Sequence, residues 1–224
     1  MPSAPKSRKS KLSARTSRPA NQIAVRIAAS TDLEGLRATL SAVPLPASVY
    51  LAEDCGEGED LIPAAVLFSI VLRDDGPSVL LTQRNPDLRD HPGQISFPGG
   101  RVEREDVSPA DTALREAKEE IGLDPECVEV VGYLPAYRTV TGFCVTPVVA
   151  IVTPPFDLQP DPGEVAEIFE VPLSFLLDAA NHQRHTIQFQ GKPRDFYAVP
   201  YEDRFIWGAT AGIILGLARL LTTR

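Results

Sequence analysis

The polarity pattern along the chain predicts strands through the middle and helices before, between and after them. Residues 32–43 place Leu33, Leu36, Leu40 and Val43 on one side of a short amphipathic helix. Residues 44–60 are acidic, contain Pro and Gly, and read as a loop. Residues 61–73 are almost continuously apolar and β-branched, the composition of a buried strand. The turn Asp74-Asp75-Gly76-Pro77 leads to a second strand at 78–82 that pairs back as a hairpin. Further strands are predicted at 128–136, 144–152, 165–171, 186–190 and 196–199, with a short helix at 172–180. Residues 154–163 hold four prolines and form a loop. Residues 204–221 read as one long apolar helix packed on the sheet, with Trp207 in the core. No regular βαβ alternation or repeat appears, so the class is α+β.

One helix is marked more sharply than the others. Ser108 is a good N-cap, Pro109 suits the first helical position, and Asp111 three residues after the cap completes a capping box. Gly122 suits a left-handed C-terminal cap. The helix therefore runs from Pro109 to Ile121. At 100° per residue, Ala110, Ala113, Leu114, Ala117 and Ile121 share one arc, while Glu116, Glu119 and Glu120 form a stripe. Like charges at that spacing cost a helix about 0.2–0.5 kcal/mol per pair. A stripe kept against that cost points to a cation, and oxygen-only donors select Mg²⁺ or Mn²⁺. Arg115 lies beside Glu119 and can hold a carboxylate by charge-assisted hydrogen bonds. An ordinary solvated Glu-rich face is the alternative.

Charge and cysteines narrow the classes. The 224-residue chain has net charge −8 and an apolar share of 43%, enough for a sizeable core. Residues 1–30 hold seven Lys or Arg and no acid, which leaves 15 basic and 30 acidic residues beyond them. A body that acidic disfavours non-specific nucleic-acid binding. Residues 1–22 are rich in Ser, Lys, Arg, Pro and Ala without apolar periodicity, and are expected to be a disordered basic tail. The rest, 23–224, is expected to be a single domain with an N-terminal helical extension. Three widely spaced cysteines without C-x-x-C argue against a disulfide framework or zinc site and for a reducing compartment, the cytoplasm. If the tail is a transit peptide, an organelle matrix replaces it. The apolar stretch at 205–218 is too short to span a bilayer.

Residues 97–123 read FPGGRVEREDVSPADTALREAKEEIGL and resemble the Nudix box, G-x5-E-x7-R-E-U-x-E-E-x-G-U with U aliphatic. Arg115, Glu116, Ala117, Glu119, Glu120, Gly122 and Leu123 match its second half. The spacing from Gly100 to Arg115 is one residue longer than the pattern. Asp106 is the nearest substitute for the first Glu. The resemblance implies a mixed sheet sandwiched between helices. It also implies a metal-dependent pyrophosphohydrolase with Gly100, Glu116, Glu119 and Glu120 as metal ligands. Arg115, Glu116, Glu119 and Glu164 are the implied catalytic residues. Glu164, which opens a strand after the proline loop, resembles a further carboxylate of such sites, and Glu167 is the weaker alternative.

The preceding stretch, Leu80 to Gly100, is similar to the accessory motif of the coenzyme A pyrophosphatase branch, L-L-T-x-R-[SA]-x3-R-x3-G-x3-F-P-G-G. Asn85 replaces its small Ser or Ala. The similarity implies Arg84, Arg89, Gly93, Phe97 and Gly99 as substrate-binding residues, with His91 a lesser candidate. Arg forks suit phosphates, of which coenzyme A has a diphosphate and a 3′-phosphate. Salt bridges from these arginines to Glu103–Asp106 are the structural alternative. The expected partner is a small molecule, coenzyme A or acyl-coenzyme A, with no nucleic acid and no membrane; a homodimer is left open. The rivals are another nucleoside diphosphate derivative, such as ADP-ribose or a dinucleoside polyphosphate, and a non-catalytic binding or regulatory domain.

Overall fold

The computed structural model describes residues 33–43, 61–189 and 192–222. The expected tail at 1–22 and loop at 44–60 lie outside the described residues. Strand β1 (Ile62–Val71) sets the layering. Ala65, Leu67 and Val71 face one apolar layer, while Ala64, Phe68 and Ile70 face another. A strand buried on both faces has no polar side to show, which is why its sequence is continuously apolar.

β1 pairs antiparallel with β2 (Ser78–Arg84), Ile70 opposite Val79. A short β3 (Ile95–Ser96) adds to β2, and β4 (Gly99–Arg101) lies along β1 with Gly100 opposite Ala65. β5 (Val128–Tyr133) and β6 (Tyr137–Arg138) pair with β7 (Phe143–Val152). β7 is parallel to β1 over its full length, from Ile62↔Phe143 to Val71↔Val152. β8 (Val165–Pro172) flanks β2. These eight strands form one mixed sheet.

Helices cover both faces. On one side, α1 (Leu33–Leu40) contributes Leu36 and Leu40 to the larger apolar layer. On the other, α2 (Pro109–Ile121) sets Ala113, Ala117 and Ile121 against the sheet. The Ser108 hydroxyl accepts the Asp111 N–H at 3.2 Å and donates to the Asp111 carboxylate at 2.8 Å, so Asp111 holds the cap side chain rather than the cap backbone. α3 (Leu173–Leu177) and α4 (Gly208–Thr222) complete the larger layer. The architecture is thus an α+β sandwich with a mixed sheet between helices, and no described helix is long and apolar enough to cross a membrane.

A separate antiparallel sheet, β9 (Gln183–Phe189), β10 (Lys192–Tyr201) and β11 (Arg204–Trp207), precedes α4. It corrects the expectation of one helix over 204–221. Phe205, Ile206 and Trp207 pair with Pro200, Val199 and Ala198, and Gly208 at φ 68° makes the sharp change from strand to helix. Apolar periodicity cannot separate a short strand from a buried helical segment. Trp207, expected in the core, is 37% exposed because alternation puts Ile206 inward and its neighbours outward. The cysteine expectation changes too, since Cys144 is disulfide-bonded while Cys127 is free.

Phe97 is a third correction. It was expected among the substrate contacts but is 2% exposed and stacked on Phe68, with ring centroids 4.7 Å apart. Its place is the apolar layer beneath the Gly-Gly turn. Phe97→Ala should therefore lower stability by about 3–5 kcal/mol, the range for an aromatic deleted from a core. Chemical denaturation measures it. Wild-type stability with weakened substrate binding would return Phe97 to the site.

Candidate functional site

Arg115 is the centre of the box. Its Nε and Nη2 bind the two Asp106 carboxylate oxygens at 3.1 and 3.0 Å, and Nη2 also meets the Arg101 carbonyl at 3.1 Å. Its Nη1 donates to Glu116 at 3.0 Å and to Glu119 at 3.1 Å. Asp106 is buried and further accepts the Glu103 N–H at 2.8 Å and the Thr112 hydroxyl at 2.9 Å. Burial works against its ionisation, but the hydrogen bonds from Arg115, the Glu103 N–H and Thr112 prevail and hold its carboxyl below the usual range. Asp106 consequently holds up Arg115. The same contacts, led by the Asp106 bond, raise the Arg115 guanidinium above its ordinary range.

The stripe divides by burial. Glu119 is exposed, Glu116 is half-buried and Glu120 is 4% exposed. Glu120 accepts the Gly99 N–H at 3.2 Å and faces Arg84 at 3.6 Å. Desolvation raises the Glu120 carboxyl to about 7, opposed by the Gly99 N–H and helped by the charges on Glu116 and Glu164. Desolvation also raises Glu116, against Arg115. Both glutamates feel the charge of Glu164, so the turn before β8 faces the box helix. A Cβ on Gly100 would overlap the Glu116 carboxylate, so only glycine leaves the backbone open to that side chain.

Two further residues, unmarked in the sequence as functional, fix this turn. Asp161 donates its N–H to the Glu120 carbonyl at 2.9 Å, and its side chain accepts the Gly163 N–H at 2.7 Å. Asn85 donates its N–H to the Glu164 carbonyl at 2.8 Å and its amide to the Pro162 carbonyl at 2.7 Å. The proline loop at 154–163 was legible, but its docking on the helix was not. Among the other expected residues, Arg89 is exposed with no ion pair among the described residues. Gly93 is half-buried, and His91 is an exposed loop residue. The acidic loop at Glu103–Asp106 pairs with Arg115 instead of Arg84 or Arg89. Glu167 pairs with Arg204 at 2.5 Å.

Among the described residues, no three His, Cys, Asp or Glu side chains already converge as a cage. Arg115 instead engages Glu116 and Glu119, and Arg84 faces Glu120. The donor set nevertheless fits a hard divalent cation: it is all oxygen, gathers Glu116, Glu119, Glu120 and Glu164 around the glycine-lined turn, and carries excess negative charge.

The structure is a mixed sheet between helices, with a carboxylate-bearing helix set behind a Gly-Gly turn. The NUDIX domain family matches residues 63–190. An uncharacterized Nudix hydrolase, NudL, from Enterobacter sp. is 46% identical over 155 residues, covering 69% of this chain and 80% of that protein. Its Citrobacter koseri counterpart is 45% identical over 169 residues, covering 75% and 88%. Among solved structures, the Nudix hydrolase RenU of M. smegmatis is 27% identical with a TM-score of 0.42, covering 49% of this chain and 69% of that one. The chain belongs to the Nudix family. It is a Nudix pyrophosphohydrolase acting on a nucleoside diphosphate derivative, in a family that generally uses divalent metals.

The buried Glu120 makes stability depend on pH. Its folded pKa of about 7 lies above the ordinary 4.5, so between those values the folded chain keeps a proton that the unfolded chain releases. Stability is therefore lost as pH rises through this window, by up to about 3 kcal/mol at 1.36 kcal/mol per unit. In EDTA, urea denaturation at acid and mildly alkaline pH should show a larger loss in the wild type than in Glu120→Gln, which keeps the raised Glu116. Equal losses in both proteins would assign it elsewhere.

Proposed function

We propose that this enzyme hydrolyses the diphosphate bond of coenzyme A and its thioesters, releasing adenosine 3′,5′-bisphosphate and 4′-phosphopantetheine or its acyl form. The observation that carries this reading is the L-L-T-x-R…R…G…F-P-G-G run from Leu80 to Gly100, directly before the box. Its Arg84 ends β2 beside Glu120, and its Arg89 is an exposed guanidinium with no ion pair among the described residues. Forked donors next to a carboxylate cluster suit a substrate with a diphosphate at one point and a third phosphate farther along.

Glu116, Glu119 and Glu120, with the Gly100 carbonyl, would hold Mg²⁺ or Mn²⁺. When bound, the ion supplies charge neutralisation on the diphosphate and acidifies the attacking water. Arg115 orients Glu116 and Glu119 from behind, and Asp106 fixes Arg115. Glu164 is our choice for the proton acceptor. Glu116 and Glu119 are engaged by Arg115, whereas no side-chain hydrogen bond occupies the Glu164 carboxylate among the described residues. It takes the proton from water as the oxygen attacks phosphorus. Arg84 and Arg89 bind phosphate oxygens, and Gly93 and Gly99 shape the loop around them.

The substrate is tested by incubating the protein with Mg²⁺ or Mn²⁺ and coenzyme A, acetyl-coenzyme A, ADP-ribose, NADH or a diadenosine polyphosphate, with products identified by mass. Faster turnover of ADP-ribose or a dinucleoside polyphosphate overturns the assignment. Glu119→Gln should keep the fold, since the residue is exposed, and lower turnover by about 10²-fold, the scale for disturbing a metal site. Full activity of this variant, or of the wild type in excess EDTA, removes the metal reading.

Arg89→Ala is a cleaner probe than Arg84→Ala, which also unpairs Glu120. It should weaken coenzyme A by about 1–3 kcal/mol, the strength of a charged hydrogen bond. A smaller loss with 3′-dephospho-coenzyme A assigns Arg89 to the 3′-phosphate. Equal losses assign it to the diphosphate, and no loss on either substrate removes it from the site.

A further inference from the structure

Strand β2 leaves the sheet at Asn85, and this residue touches both loops that bracket the proposed site. Arg84, the last residue of β2, donates its N–H to the Gln94 carbonyl at 2.9 Å, on the β3 side. Asn85 donates its own N–H to the Glu164 carbonyl at 2.8 Å, on the β8 side. Successive N–H groups of a strand point to opposite edges, so the chain separates here into the loop 85–93 and the turn 161–164.

The pairing with β8 is irregular just before that point. Gln83 lies opposite Glu167 and Arg84 opposite Val165, so Ala166 is an extra residue on β8. A bulge breaks the ladder locally and re-aims the side chains beyond it. Glu164 lies directly beyond this one, with its charge felt by Glu116 and Glu120. Its direction therefore depends on what holds the turn. On the helix side, the Asp161 N–H meets the Glu120 carbonyl at 2.9 Å. On the strand side, Asn85 supplies its backbone N–H to Glu164 and its side-chain amide to the Pro162 carbonyl at 2.7 Å. Within the turn, the Glu164 and Val165 N–H groups both bond the Asp161 carbonyl, at 3.0 and 2.8 Å. These inner bonds shape the turn but do not place it against the sheet.

The other end of the Asn85 side chain is also used. Its Oδ1 accepts the Asp87 N–H at 2.9 Å, and the Asn85 carbonyl accepts the Leu88 N–H at 3.2 Å. Together these bonds close the turn Asn85-Pro86-Asp87-Leu88 directly before Arg89. The two partners fix which end of the amide is which, since a carbonyl needs the NH₂ and an N–H needs the oxygen. Asparagine carries a donor and an acceptor on separate atoms of one short side chain. Aspartate would keep the oxygen for Asp87 but set a second oxygen against the Pro162 carbonyl. Serine has a single polar atom. The Ser or Ala of the accessory motif does not supply this double link, so Asn85 adds a tie particular to this chain.

We propose that Asn85 is a positioning residue for Glu164, its side chain tying the turn that carries the proton acceptor to the loop that carries Arg89. The proposal rests on the choice of Glu164 made above, but not on coenzyme A as the substrate. The Asn85 amide is engaged by Pro162 and Asp87, so it acts through those two loops.

Steady-state kinetics on the full chain with Mg²⁺ test it, with whichever diphosphate of the panel is turned over fastest. Asn85→Asp keeps the oxygen for Asp87 and loses the donor for Pro162. It is expected to lower kcat by about tenfold, the scale for a slightly misplaced catalytic group, and to leave KM within about twofold. Asn85→Ser keeps a hydroxyl to accept the Asp87 N–H and is the uncharged counterpart, expected to show the same split. Asn85→Ala loses both links and is expected to lower kcat and raise KM. Glu164→Gln is expected to lower kcat by about 10²-fold, as for removal of a proton acceptor. Adding Asn85→Asp to Glu164→Gln is expected to cost nothing further, since no proton acceptor is left to misplace. Thermal melting followed by circular dichroism checks that each variant is folded. Should Asn85→Asp fail that check, Asn85→Ser is read in its place in both backgrounds. Wild-type kcat in these variants while Glu164→Gln is impaired overturns the inference alone. So does an equal further loss in the Glu164→Gln background. A KM for Asn85→Ala no higher than that of Asn85→Asp overturns the link to the Arg89 loop. Wild-type turnover of Glu164→Gln overturns the choice of Glu164, and this inference with it.

Discussion

The site depends on the paired bonds between Arg115 and Asp106. A helix stripe of three glutamates repels itself, and two of those glutamates lie within reach of one guanidinium. That guanidinium holds them only because its other edge is fixed in two places by a buried carboxylate. Asp106 is fixed in turn by Thr112 and the Glu103 N–H, so the loop entering α2 and the first turn of that helix are locked together. Since bidentate Arg–carboxylate pairs constrain direction as well as distance, Asp106 sets the positions of Glu116 and Glu119 through Arg115.

Glu120 is governed by the opposite condition. It faces the sheet instead of solvent, where desolvation favours the protonated acid, and its partners are a backbone N–H and Arg84. One helix therefore carries carboxylates in three environments: exposed, half-buried and buried. Burial lets the helix bring its stripe against the Gly-Gly turn, and Gly100 keeps the backbone clear for Glu116. The Asp161–Glu164 turn is docked on the C-terminal end of the same helix and tied to β2 by Asn85, so three segments far apart in sequence form one wall.

Much of this was legible in the chain. The caps of α2 were fixed by local chemistry, since a Ser hydroxyl reaching the Asp111 N–H and a glycine at φ 68° involve only neighbouring residues. The strand at β1, buried on both faces, was legible from its unbroken apolar run, and the Nudix box and the preceding arginine motif from residue spacing. The mixed sheet between helices followed from that resemblance.

What the sequence left open are matters of which distant groups meet. Phe97 reads as part of a substrate motif, but the residue across the sheet that stacks on it, Phe68, decides that it is core. Arg84 reads as a phosphate anchor, but folding also sets it beside Glu120. Residues 204–207 read as the start of a helix, and only the presence of β10 as a pairing partner makes them a strand with Trp207 outward. By itself the sequence determined what depends on neighbours within a turn or on an unbroken pattern. The tertiary structure alone decided the burial of each charged or aromatic side chain, because burial depends on what other elements place against it.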